Sequence, residues 1–159
     1  MRGKVKAVAW ILLLGVIAFI MNTTVFSRKE AATYRYNLQP FWSYQAIMDG
    51  KKYLIEEHLL NIALFIPIGL LLWFALERRH WWEALLFGVL LSGSIEILQL
   101  FSKRGFCEFD DVMHNTLGCL TGYCIAAYTC RWIGYIMTKK TKKVQYGKKE
   151  DLFVPCSHE

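Results

Sequence analysis

Glu96, Gln99, Asp111 and Asn115 are carboxylates and carboxamides set inside apolar runs, at intervals that a helix turns into faces. Two carboxylates held close together can act as general acid and base, and with an amide oxygen they can ligate a hard divalent cation. The same groups can hydrogen-bond a polar headgroup, or bind helices to one another. Ser92, Glu96 and Gln99 stand at i, i+4 and i+7, and Asp111, Asn115, Gly118 and Gly122 at i, i+4, i+7 and i+11, so each set makes one stripe. A third set, Glu57, His58 and Asn61, opens another apolar run. An ionised carboxylate at bilayer depth costs on the order of 2.5–3.5 kcal/mol or more, so Glu96 is expected to face protein, water or a cation. Ser92 and Ser94 have no histidine nearby in sequence, and no nucleophile constellation is present.

The elements that must position these groups follow from composition. Of 159 residues 55% are hydrophobic, and they are blocked rather than spread. Four stretches, Val5–Phe26, Leu54–Leu76, Trp81–Phe101 and Val112–Met137, are long enough for the roughly 20 residues that cross a bilayer as a helix. Backbone polar groups cannot go unpaired in lipid, and the alternation of a membrane barrel is absent. The expected fold is therefore all-α: a polytopic bundle of four transmembrane helices. Its parts are an N-terminal anchor helix (1–27), a membrane domain with an interfacial outer loop and three helices (28–137), and a basic tail (138–159). Bulky residues before Asn22-Thr23-Thr24 leave no small-x-small cleavage site, so the first span reads as an uncleaved anchor.

Lys and Arg near the span ends set orientation. Arg2, Lys4, Lys6, Arg78, Arg79, Arg131, Lys139, Lys140, Lys142, Lys143, Lys148 and Lys149 fall on one side; the smaller set Arg28, Lys29, Arg35, Lys51, Lys52, Lys103 and Arg104 falls on the other. Both termini are thus expected in the cytoplasm. The net charge of +6 is explained by this membrane flanking and by a basic tail on anionic lipid, not by nucleic acid. The 5 cysteines show no CxxC or Cys/His spacing, so neither a zinc site nor a disulfide framework is expected. Cys107 is the one placed outside.

The loop from Ser27 to Lys52 carries Tyr34, Tyr36, Phe41, Trp42 and Tyr44, and such aromatics collect at the headgroup layer. Asn37-Leu38-Gln39-Pro40-Phe41-Trp42 reads either as an interfacial turn or as a lid. Pro67 should kink the second span where a neighbour packs. A tight inner turn, Glu77-Arg78-Arg79-His80, makes the second and third spans antiparallel neighbours. Asp110 suits the N-cap of the last helix, His58 suits an interfacial position, and Gly118-x-x-x-Gly122 invites close helix approach. Combined with topology, Glu57, His58 and Asn61, then Glu96 and Gln99, then Arg104, Asp111 and Asn115 all fall at outer helix ends. The expectation is an outer-leaflet polar pocket, with Arg104 pairing with Glu96 or Asp111 or holding a phosphate.

Several linked segments resemble the VanZ-like family. Asn37-Leu38-Gln39-Pro40-Phe41 is similar to its NLxPF loop, Asn61-Ile62-Ala63-Leu64-Phe65-Ile66-Pro67-Ile68-Gly69 to its NxxxFxPxG helix, and Glu96-Ile97-Leu98-Gln99 to its ExxQ. Arg104, Phe109-Asp110-Asp111-Val112, Asn115-Thr116-Leu117-Gly118 and Gly122-Tyr123 resemble its R…DDxxxNxxGxxxGY segment, and the likeness runs from Tyr36 to Tyr128. Cys119 departs from a glycine often found there. The resemblance implies a multi-pass protein of the bacterial plasma membrane with a cell-envelope role, and its named member is associated with low-level teicoplanin resistance.

Three classes of function remain open on these residues. The first is a protein that binds a lipid-linked cell-wall precursor or a lipophilic glycopeptide, through Asn61, Glu96, Gln99, Arg104, Asp110, Asp111 and Asn115, under a loop that includes Asn37, Pro40 and Phe41. A second is an enzyme on such a lipid, with Glu96 and Asp111 as the catalytic candidates or as ligands of a divalent cation; the sequence itself calls for no cofactor. A third is a small transporter or flippase subunit, which would need a homo-oligomer because four helices enclose a narrow path. Membrane lipid is a partner in every case.

Overall fold

The computed structural model describes residues 2–76 and 80–150, with side chains over 3–76 and 80–140. Seven elements follow in order: α1 (Arg2–Met21), β1 (Tyr36–Asn37), α2 (Trp42–Met48), α3 (Tyr53–Ala75), α4 (Trp81–Ser102), β2 (Cys107–Glu108) and α5 (Phe109–Glu150). α1 runs on into a π-helical turn, Asn22–Phe26, whose Thr23 and Thr24 hydroxyls donate back to the carbonyls of Phe19 and Ile20. Among the described residues, three segments are long and apolar enough to cross a membrane: Gly3–Phe26, Tyr53–Ala75 and Trp81–Ser102, with mean hydropathies of 2.2, 2.0 and 1.9. α5 is not among these three, because it carries His114, Asn115 and Arg131 within its apolar part.

The chain divides into a compact unit, Met1–Ala126, and a second, Ala127–Glu159. In the first, α1 packs chiefly along α3. The α3–α5 seam is built by glycine, since a Cβ at Gly118 would overlap the carbonyl of Ile62, and one at Gly122 that of Ile66. Contacts that advance in step along both helices mean that α3 and α5 run parallel. At Gly69 a side chain would strike the Cys119 carbonyl, so the segment after Pro67 is braced by α5. The close helix approach expected of the GxxxG stripe is present, and the neighbour is α3, the helix that contains Pro67.

α4 runs antiparallel to α5, as Ala84 O meets Cys119 Sγ at 3.4 Å, Gly88 faces Thr116 and Cys119, and Ser92 meets Asn115 at 2.8 Å. α3 and α4 also touch, as expected of antiparallel neighbours. The turn at Glu77, Arg78 and Arg79 lies outside the described residues, as do the last residues of the chain, Cys156 included. In the second unit α5 continues as helix to Glu150, beyond the expected end near Met137. The Lys-, Gln- and Glu-containing sequence there has good helix propensity.

Candidate functional site

The junction between α4 and α5 sets the geometry. α4 ends with Lys103 in the left-handed region at φ 55°, and Gly105 follows at φ 135°, a backbone turn that favours glycine. The chain then runs parallel beside β1, with Tyr36 opposite Cys107 and Asn37 opposite Glu108. Arg35 O accepts from Cys107 N at 3.0 Å, and Lys103 O accepts from Ala31 N at 2.8 Å. The first outer loop is thereby stitched to the second. Arg35 lies 5.5 Å over the Phe106 ring, and Trp42 meets that ring edge-on at 6.2 Å.

Asp110 corrects an expectation. It does not cap its own helix, which already includes Phe109; its fully buried carboxylate caps α2 instead. Oδ1 accepts from Phe41 N at 2.7 Å, and Oδ2 accepts from Ser43 N at 3.0 Å and from the Ser43 hydroxyl. Phe41 takes the left-handed conformation, φ 62°, that presents its amide to Asp110. Asn37 Oδ1 accepts from Gln39 N at 3.0 Å, an Asx turn. Asn37 and Phe41 are therefore tied down by hydrogen bonds, with Pro40 between them, and it is the next residue, Trp42, that lines a cavity.

Two cavities at this end of the unit share part of their walls. The larger, about 780 Å³, is lined by Phe19, Thr23 and Thr24 from the first span, by Arg28, Lys29 and Arg35, by Tyr53, Leu54, Glu57, Leu60, Asn61 and Leu64 of α3, and by Trp42, Gly105, Phe106, Glu108 and Asp111. The smaller, about 20 Å³, is lined by Thr24, Arg28, Asn61, Glu96, Gln99, Asp111 and Asn115 with Ile20, Leu64, Phe65 and Ile95. Thr24, Arg28, Asn61, Leu64 and Asp111 border both. Five of the residues singled out by spacing, Asn61, Glu96, Gln99, Asp111 and Asn115, thus converge from α3, α4 and α5.

Their hydrogen bonds are specific. Asn61 Nδ2 donates to Asp111 Oδ1 at 2.7 Å, and Asn115 Nδ2 donates to Ser92 Oγ at 2.8 Å. Glu96 Oε2 accepts from Glu108 N at 2.9 Å, and Gln99 Nε2 donates to Thr24 O at 3.2 Å. Gln99 Oε1 is buried and no donor reaches it. Arg104 is placed elsewhere: it donates to Phe26 O at 3.2 Å and lines neither cavity. The cation whose charge acts on both Glu96 and Asp111 is Arg28.

Spacing also missed Glu108. Burial, then the charges of Asp111 and Glu57, push its carboxyl up to about 8. The Cys107 thiol beside it is buried and also pushed up, first by burial and then by Glu96 and Asp111, which disfavours the reactive thiolate. His58 is buried, its ring stacked on His114 with centroids 3.9 Å apart, while Tyr44 Oη lies 2.8 Å from His114 Nε2. His58 stands at i, i+4 from neither stripe, and its pairing with a residue 56 positions away leaves no local signal. Among the described residues, no group of three or more His, Cys, Asp or Glu is placed to hold a metal ion.

The fold and the site define a helical membrane protein whose apolar helices enclose a polar, charge-bearing cavity near one end of its first unit. The VanZ/LLP1 family matches residues 7–134, and the chain belongs to that family. The match takes in α1, ahead of the motifs that begin at Tyr36. No curated protein and no solved structure matches the chain.

Proposed function

We propose that the 780 Å³ cavity binds the headgroup of an anionic, sugar-bearing lipid in the outer leaflet of a bacterial plasma membrane, a lipid-linked envelope precursor being the ligand class. The observation that carries this reading is the composition of one wall set: Arg28, Lys29 and Arg35 beside Asn61, Glu57, Glu108 and Asp111. Guanidinium groups hold phosphate bidentately, and carboxylates and amides accept from and donate to sugar hydroxyls. Phe19, Leu54, Leu60, Leu64, Trp42 and Phe106 complete a largely apolar lining that suits the first part of a lipid chain.

This reading rests on a four-span topology with residues 112–137 as the fourth span and both termini in the cytoplasm. The distribution of Lys and Arg supports it. Of the polar groups that lower the hydropathy of α5, Asp111 and Asn115 line the cavities and His114 stacks on His58, while Arg131 is exposed and lies toward the expected inner end of the span. Sequestering such a lipid, or a lipophilic glycopeptide that competes for the same site, is how this protein would confer tolerance to teicoplanin-type antibiotics.

Purified protein in nanodiscs, titrated with an undecaprenyl-phosphate-linked sugar and with a neutral glycolipid, tests the proposal. Saturable binding of the anionic lipid is expected, weakened roughly 10-fold or more in Arg28→Ala, as for loss of a charge-assisted contact. Equal binding of the neutral lipid would sink it.

A further inference from the structure

The small cavity has a chemistry of its own. At about 20 Å³ it admits one water-sized or cation-sized occupant, since roughly 10–15 Å³ is needed for a water. Apart from the Arg28 guanidinium, its polar lining is rich in acceptors. Asp111 Oδ1 is taken by Asn61, and Glu96 Oε2 by the Glu108 amide, which leaves one oxygen on each carboxylate. Asn61 and Asn115 spend their NH₂ groups on Asp111 and Ser92, so what each has left to bond with is chiefly a carbonyl oxygen. Gln99, only 4% exposed, lines the cavity and gives its NH₂ to Thr24 O, and no donor reaches its buried Oε1. The Thr24 hydroxyl already donates to Ile20 O and is left as an acceptor.

We infer that this cavity is a binding site for a single hard cation, coordinated by oxygens of Glu96, Asp111, Asn61, Gln99 and Asn115. Hard cations take oxygen ligands at about 2.0–2.6 Å, six or more for calcium and six for magnesium, and side-chain amide oxygens serve as well as carboxylates. A site with two carboxylates falls below a three-carboxylate or histidine-based arrangement, and the amide oxygens make up the number. A bound cation would draw on the ionised forms of Glu96 and Asp111, against the opposing charge of Arg28, which lines the same cavity. A water molecule fits the volume but brings two donors to a cage with more acceptors than that. The site does not depend on what fills the larger cavity, because its oxygens come from the protein alone.

The full chain, purified in detergent without added lipid and stripped with chelator into choline chloride, is equilibrated with Na⁺, Mg²⁺ or Ca²⁺ in separate arms. Binding is read by equilibrium dialysis, and thermal unfolding by tryptophan fluorescence. One of the three is expected to bind with a stoichiometry near one per chain and to raise the unfolding midpoint saturably. The isosteric Asp111→Asn should weaken that cation roughly 10- to 100-fold, and Gln99→Glu, which adds a third carboxylate, should tighten it. No saturable binding of any of the three above the choline baseline would overturn the inference. So would binding unchanged in both variants, which would place the cation elsewhere. Loss of lipid binding with cation binding intact would count against the proposed function and leave this site standing.

Discussion

Gly118→Ala tests how the site is assembled without touching any polar group in it. The added methyl would overlap the Ile62 carbonyl, so α3 and α5 must move apart, by roughly 1 Å to restore an ordinary carbon–oxygen contact of about 3.3 Å. Asn61, one residue before Ile62, and Asp111, two turns before Gly118, sit on the two helices being parted. Their 2.7 Å hydrogen bond would lengthen past the range of a hydrogen bond. Overpacking costs about 1–3 kcal/mol and each interhelical polar contact about 0.6–2 kcal/mol, so a loss of about 2–4 kcal/mol is expected. Reversible unfolding in mixed micelles, followed by tryptophan fluorescence, measures it, with lipid binding as a second readout. Gly15→Ala is the control, since a Cβ there meets nothing within 4 Å. A Gly118→Ala protein within about 0.5 kcal/mol of wild type, with normal lipid binding, would refute the seam as drawn.

Asp110→Ala removes the acceptor for two amides and a hydroxyl at the start of α2, and each lost charge-assisted bond costs about 1.5–3 kcal/mol; hydrogen exchange should speed up over residues 41–48 while the α4 core stays protected. Glu108 has a folded-state value of about 8 against an ordinary 4.5, so the folded protein holds this proton more tightly than the unfolded chain does. Stability from this group is full below pH 4.5 and falls as pH rises through the window up to about 8; Glu108→Gln should flatten that slope, and an unchanged slope would show that other groups set it. Cys107 is buried with its thiol pushed up, so maleimide should modify it slowly in folded protein and fast in SDS.

Helical spacing found Glu96 with Gln99, Asp111 with Asn115, and Gly118 with Gly122, because i, i+4 and i+7 are fixed by the helix itself. The apolar blocks gave four expected spans, and the first three coincide with the segments that are long and apolar enough to cross a membrane. Which face meets which neighbour is a tertiary matter. Arg28 looked like one more outer-side charge, yet it lines both cavities because the π-helical turn carries the chain across α4's end. The first span reads as a bare anchor since from Ala7 to Met21 it is apolar on every side, and nothing in that pattern marks Phe19, or Thr23 and Thr24 in the turn after it, as cavity wall. Asp110 shows the limit most plainly: the residue type that caps a helix does so here for one that begins 68 residues earlier in the chain. The His58–His114 stack is of the same kind, joining α3 to α5 with no sequence interval to announce it.

The central claim is that the polar cavity selects an anionic lipid headgroup. Native mass spectrometry of the protein released from nanodiscs that contain equal amounts of an undecaprenyl-phosphate-linked sugar and a neutral glycolipid addresses it most directly. One anionic lipid retained per chain in wild type, lost in Arg28→Ala and in Arg35→Ala, is the predicted result. Equal retention of both lipids, or retention unchanged in the two variants, would contradict it.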